Sequence, residues 1–273
     1  MPAGYCAALI LPDEREIQNL TLYTLKTVYP SWQPILCALS NKNPVRRRAY
    51  MKPTIIFEDR DILVCVKPHG IPTQSRRIDT PDMVSILKNH LHTTCGKKGG
   101  PYLALIHRLD QPVEGLLVFA KTPAAAKSLS RQLQSSGFGK HYLAVLNGIP
   151  ALQEATLEDY IVKDGRTNMS RICTPDTPGA KPARLHYKIL RIPDTDNLAL
   201  AEITLDTGRH HQIRVQMSHI DCPIAGDAKY TPASFHAVHP FSDTLQLYAA
   251  KLSFTHPATG APLTFTYNPE LPF

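Results

Sequence analysis

The 273-residue chain has no apolar run long enough to span a bilayer, so the sequence offers no membrane-crossing helix. Its opening stretch, MPAGYCAALILPDERE, lacks a basic leading region, and its apolar part stops at Pro12 and Asp13, so no secretory signal is expected. The six cysteines (Cys6, Cys37, Cys65, Cys95, Cys173 and Cys222) are scattered, and none forms a C-x-x-C pair. That argues against a structural zinc site and a disulfide framework, and makes a reducing cytoplasm the expected location. The Gly-Lys pair within Cys95–Gly100 has neither the spacing nor the Ser/Thr of a phosphate-binding loop, so no nucleotide cofactor is expected. His210, His211 and His219 form a histidine-rich run, but no carboxylate or third ligand sits at the usual spacing, and no metal is expected either.

The residues that are present fit a soluble globular chain, 43% hydrophobic with a formal net charge of +7. The charge is uneven. Residues 1–50 carry six Lys/Arg against three Asp/Glu, which leaves a net +4 for the remainder. A mildly basic body permits an anionic partner without identifying one.

Residues 1–50 differ in character from the rest of the chain: their periodicity is weak and they end in Arg46-Arg47-Arg48. They read as an N-terminal extension, either a basic arm or an upstream stretch ahead of a true start at Met51. Residues 51–273 read as one catalytic domain. Strands are predicted over 54–57, 62–67, 103–106, 116–120, 140–146, 155–163, 184–192, 198–206, 245–254 and 263–267. Helices are predicted over 83–92, over 123–134 behind Pro123, and over 211–220, with 164–182 as loop. This order implies an α+β fold: a mixed, largely antiparallel central sheet with flanking helices.

Three stretches carry chemistry. In HRLDQPVEGLLVFAKT (His107–Thr122), Asp110 follows a basic pair and precedes a core strand. Burial raises a carboxylate's pKa, so an anion held there needs a cationic partner. Asp-Gln-Pro is equally good turn chemistry, and the residues alone leave both readings open. In LDTGRHHQIRVQMSHIDCPIAGDAKY (Leu205–Tyr230), Arg214 shares a helix face with His211 and Ser218 and is the kind of cation Asp110 requires, while Ile213, Met217 and Ile220 form the apolar face. In GKHYLAVLNG (Gly139–Gly148), alternation places Tyr142, Ala144 and Leu146 on one face of a strand.

HRLDQPVEGLLVFAKT resembles the H-R-L-D-x-x-T/S-G-L-L-x-x-A-K-T motif of the RluA-like RNA pseudouridine synthases. A strand-strand-KPxG opening (Ile62–Gly70), a K-x-Y-L-A-V strand, T-G-R-x-H-Q-I-R-V, G-D-x-x-Y and a closing L-x-F-x-H-P at Leu252–Pro257 come in the family's order. The resemblance covers nearly everything from Thr54 to Pro257. It implies a pseudouridine synthase fold with a central catalytic cleft, acting without cofactor on a uridine of ribosomal or transfer RNA, with a monomer expected. By the same resemblance Asp110 is the catalytic carboxylate, Tyr142 stacks on the target base and Arg214 pairs with Asp110. Arg108 helps displace the flipped nucleotide, Leu247 packs against the base, and His211 is a further substrate contact. Two departures stand out. Glu114 replaces the family's Thr or Ser, and no complete S4-type RNA-binding module is recognisable before Met51. A non-catalytic RNA-binding protein is the competing reading. A glycoside hydrolase would need a second carboxylate flanking the scissile bond, for which Glu114 is the one nearby candidate.

Overall fold

The computed structural model describes residues 53–77, 80–95, 100–135, 137–194, 197–232 and 244–272. The extension over residues 1–50 and the Gly-Lys loop at 96–99 lie outside these described residues. The elements run β1 (Thr54–Glu58), β2 (Ile62–Lys67), α1 (Met83–Cys95), β3 (Ala104–Leu105), β4 (Glu114–Ala120), α2 (Pro123–Gln134), β5 (Gly139–Asn147), β6 (Glu154–Asp164), β7 (Met169–Cys173), β8 (Lys181–Arg191), β9 (Leu198–Leu205), α3 (Gln212–His219), β10 (Leu247–Thr255) and β11 (Pro262–Thr266).

The strands join in one sheet of order β1-β2-β4-β10-β5-β9-β8-β6-β7, with β3 also on β4 and β11 also on β10. Every described ladder is antiparallel except the short junction of β10 with β4, which pairs Tyr248 with Glu114 and Ala249 with Gly115. The α+β, largely antiparallel expectation therefore holds. On one side of β10 the partner changes along its length: β4 meets its first residues and β11 takes Lys251–Thr255. A register irregularity between Ala249 and Lys251 marks the handover.

Gly115 makes the parallel junction possible. Its φ is +127°, and a Cβ there would lie 2.4 Å from the Ala249 carbonyl oxygen. Strands β2 and β4 are buried at nearly every residue, as expected where a sheet is covered on both faces. Ile62, Val64, Val66, Leu116 and Val118 pack with Ala125 and Leu129 of α2 and with Leu252 and Phe254 of β10. Helix α2 spans the predicted residues because its signals are complete. Thr122 caps it by accepting from the Ala125 N–H at 3.2 Å, and Pro123 occupies the first turn.

Two expectations need correction. The 164–182 loop contains β7, which pairs with β6 from Tyr160–Cys173 to Asp164–Met169. Its turn passes through Asn168, in a left-handed conformation at φ 52°, a geometry asparagine tolerates better than most residues. The strand predicted over 103–106 shrinks to Ala104–Leu105, because it lies alongside only the last residues of the β4 ladder.

Candidate active site

Asp110 sits in the turn that leads into β4, and the Val113 N–H donates to the Asp110 carbonyl at 3.0 Å. The turn reading of this residue therefore holds. The turn is clamped from the 67–73 segment. Lys67 is fully buried, and its Nζ donates to the carbonyls of Pro68 (3.0 Å), Ile71 (2.7 Å) and Gln111 (2.9 Å). Thr73 exchanges two hydrogen bonds with the Leu109 backbone, and Gly70 and Gln111 exchange two more. Burial pushes the Lys67 amine down to about 8, opposed by the Glu114 and Asp110 carboxylates. The KPHG stretch, whose chemistry the sequence leaves unassigned, is thus the brace that fixes the Asp110 backbone.

The Asp110 side chain is 29% exposed and lies 3.6 Å from Arg214 Nη1 and 3.5 Å from His211 Nε2. Burial raises its pKa above the ordinary carboxylate value; Arg214 opposes the rise and Asp227 adds to it. Arg214 is more tightly committed elsewhere. Its Nε and Nη2 donate to the two oxygens of Asp227 at 2.7 and 2.6 Å, a bidentate pair whose carboxylate is wholly buried. The guanidinium also lies 5.1 Å from the centre of the Tyr230 ring. Asp227 and Tyr230 belong to the G-D-x-x-Y stretch. The sequence alone gives neither residue a role, because their partner Arg214 lies on α3, before the turn that carries them.

Helix α3 differs from the amphipathic picture. Gln212 to Met217 are all buried, so it is enclosed on every side, and Gln216 finds its partner in Asp159 at 2.7 Å. His211 stands just outside it as the N-terminal cap, in a left-handed conformation (φ 53°, ψ 26°). Gly226 shapes the next turn: at φ +74°, a Cβ would fall 2.0 Å from the Thr244 carbonyl oxygen.

Tyr142 lies on β5 opposite Ala249, and Leu247 lies opposite Ala144, so Tyr142 and Leu247 face the same side of the sheet. Both are buried, at 7% and 3% exposure. Burial and the Asp110 charge both raise the Tyr142 pKa, so its ring presents a neutral phenol. Arg108 is exposed. Its charge, with those of Lys163, Lys229 and Arg214, helps burial drive the His210 pKa down to about 4. Glu114, the departure from the motif, accepts a hydrogen bond from the Tyr267 hydroxyl and so ties the entry of β4 to the segment after β11. Among the described residues, no group of three or more His, Cys, Asp or Glu is placed to hold a metal.

The site therefore gathers Asp110, Arg214 and His211 within contact distance, with Asp110 close enough to Tyr142 to perturb it. Leu247 shares the face of Tyr142, and Arg108 lies outside on the exposed side. A carboxylate beside an arginine, near an aromatic side chain and with an exposed arginine on its own segment, suits a flat polar base carried on a polyanion.

Comparison with known proteins agrees. Residues 61–219 match the RNA pseudouridylate synthase family. An uncharacterized RNA pseudouridine synthase of Bacillus subtilis, YlyB, is 35% identical over 215 residues, covering 77% of this chain and 67% of the relative. The ribosomal large subunit pseudouridine synthase D of Neisseria meningitidis serogroup B is 34% identical, covering 77% of this chain but only 56% of the relative. The dual-specificity RNA pseudouridine synthase RluA of Salmonella typhi is 31% identical, over 77% of this chain and 90% of its own. This chain thus spans little more than half the length of some relatives and most of others. The solved structure of human RNA Pseudouridylate Synthase Domain Containing 4 superposes with a TM-score of 0.64 at 25% identity, covering 79% of this chain and 88% of the human one. On sequence and fold together, the chain belongs to the RNA pseudouridylate synthase family.

Proposed function

We propose that this protein isomerises a specific uridine of structured ribosomal or transfer RNA to pseudouridine, with Asp110 as the reacting carboxylate. The observation that carries the reading is the proximity of three residues remote in sequence: Asp110 lies 3.6 Å from Arg214 and close enough to Tyr142 to add to the burial-driven rise of its pKa. The reaction breaks the C1′–N1 bond, rotates the uracil, joins C5 to C1′ and moves the C5 proton. Atoms and electrons balance without an oxidant, and the chemistry calls for no cofactor.

The target nucleotide must leave its stack, at a cost of about a few kcal/mol that is least in loops. In this reading Arg108, which is exposed, fills the vacated space and meets phosphate, and Tyr142 and Leu247, which share one face of the sheet, form a platform for the extruded base. On the same reading Asp110 reacts as the anion, and Arg214 opposes the desolvation that raises its pKa. The same carboxylate placement serves attack on C1′, attack on C6 or a glycal route. The neutral Tyr142 phenol makes a water the better acceptor for the C5 proton.

The protein is further proposed to work as a cytoplasmic monomer, with residues 51–273 as its catalytic domain. No helix among the described residues is long and apolar enough to cross a membrane. The deciding experiment compares pseudouridine maps of RNA from cells with and without the protein, and complements the deletion with Asp110→Ala. The expected result is loss of one or a few modified sites, not restored by Asp110→Ala, while that variant binds RNA within several-fold of wild type. Restoration by Asp110→Ala would remove Asp110 from the chemistry. An unchanged map would favour a purely RNA-binding role.

A further inference from the structure

Arg214 is engaged by both oxygens of Asp227 at 2.7 and 2.6 Å and reaches Asp110 only at 3.6 Å, so it serves two carboxylates. A second donor to Asp110 therefore matters. Among the described residues, the other side chain in ion-pair reach of it is His211, its Nε2 3.5 Å from Oδ2. A hydrogen-bond chain behind the ring decides what that nitrogen carries. The Ser170 backbone N–H, on β7, donates to the Tyr230 hydroxyl oxygen at 2.7 Å. His211 Nδ1 lies 2.7 Å from the same oxygen. A phenol has one proton, and the arrangement that satisfies every group has the Tyr230 O–H donating to Nδ1. The single proton of a neutral imidazole then sits on Nε2, the atom aimed at Asp110.

The surroundings hold the ring neutral. Burial drives the His211 pKa down to about 3, and Arg214 on α3, the stacked His210 (centroids 3.7 Å apart), Lys229 after α3 and Lys163 on β6 act in the same direction. Asp110 is the carboxylate facing it from the turn before β4. The backbone is also committed: a left-handed non-glycine residue stores strain, which persists where neighbours over-determine the position. The His211 carbonyl meanwhile accepts the Val215 N–H at 3.0 Å and starts α3.

We propose that His211 is a positioning residue: fixed with its proton on Nε2 by the Tyr230 hydroxyl, it presents that N–H to Asp110 and, with Arg214, sets the orientation of the reacting carboxylate. This replaces the sequence-level expectation that His211 touches substrate. It rests on the proposed role of Asp110, but part of its test does not.

Asparagine tolerates the left-handed backbone and can keep the Tyr230 contact with its shorter amide, yet cannot reach Asp110. Glutamine places an amide N–H near the position of Nε2. The Asp110 carboxyl is titrated by carbon-detected NMR on the RNA-free protein, for wild type, His211→Asn and His211→Gln, with thermal unfolding to verify folding. The expected result is an Asp110 midpoint displaced to higher pH in His211→Asn and restored toward wild type in His211→Gln. Turnover on unmodified 23S ribosomal RNA and tRNA transcripts is expected to fall about tenfold in kcat for His211→Asn, with KM within about twofold and partial rescue by His211→Gln, as for one lost hydrogen bond to a charged group. An unmoved Asp110 midpoint in His211→Asn, or equal displacement in both variants, would overturn the proposal. If the midpoints behave as expected but wild type modifies neither RNA, the positioning role stands and the functional reading is what fails.

Discussion

Asp110 is expensive to keep. Its folded pKa is raised, mainly by burial, so the folded chain holds that proton more tightly than the unfolded chain does. By linkage, its contribution to stability is present below the ordinary carboxylate pKa and is lost as pH rises through the raised folded value. Asp110→Asn is therefore expected to be more heat-stable than wild type at neutral pH, with the gain shrinking toward zero as the buffer is acidified. Melting curves across that range test it, and a pH-independent difference would contradict the linkage. The Arg214–Asp227 pair sits at the other extreme: removing the guanidinium leaves a fully buried carboxylate uncompensated, a loss of about 3–5 kcal/mol. An Arg214→Ala variant consequently mixes lost folding with lost chemistry. While the residues alone leave Asp110 open between turn former and anion, Asp110 and Arg214 are singled out in the sequence by the family-like motifs in which they stand. Asp227 is not, since no periodicity tells which carboxylate folds back beneath a helix 13 residues earlier in the chain.

At the level of elements, the junction of β4 with β10 is the point of least tolerance. Gly115→Ala would place a methyl against the Ala249 backbone on both its nitrogen and its carbonyl, and would hold a residue with a side chain at φ +127°. Neither strand can retreat without breaking its other ladder, so destabilisation of about 3 kcal/mol or more is expected. Denaturant titration of the variant measures it, and a near-wild-type midpoint would mean the junction yields more easily than its geometry implies. Most elements are readable because one physical signal dominates each: a continuous apolar run in β2, alternation in β6 and β8, and a complete cap in α2. Strand β7 is hidden because it is short, comes after Gly165 and precedes a Pro- and Thr-rich turn region, so local signals all favour loop. It is nevertheless the strand that supplies the Ser170 N–H to Tyr230.

For the molecule as a whole, the strands from Thr54 to Thr266 join in one sheet within the described residues. A chain beginning at Met51 is accordingly expected to unfold cooperatively and to retain turnover within about twofold of the full chain, since tolerance to truncation depends on the backbone pairing that is affected. Loss of folding or activity would show that residues 1–50 are needed. The position of β10 has a consequence for assembly of the site. Strands β1 to β4 precede it, β5 to β9 form a separate antiparallel run, and only β10 joins the two among the described residues. Without Leu247–Thr255 the described sheet divides into two parts, β1 to β4 and β5 to β9. Asp110 then belongs to one half, and Tyr142 and Arg214 to the other. On the proposed roles of these residues, activity is therefore expected only once β10 has joined the two halves, so a chain truncated before Leu247 is expected to be inactive.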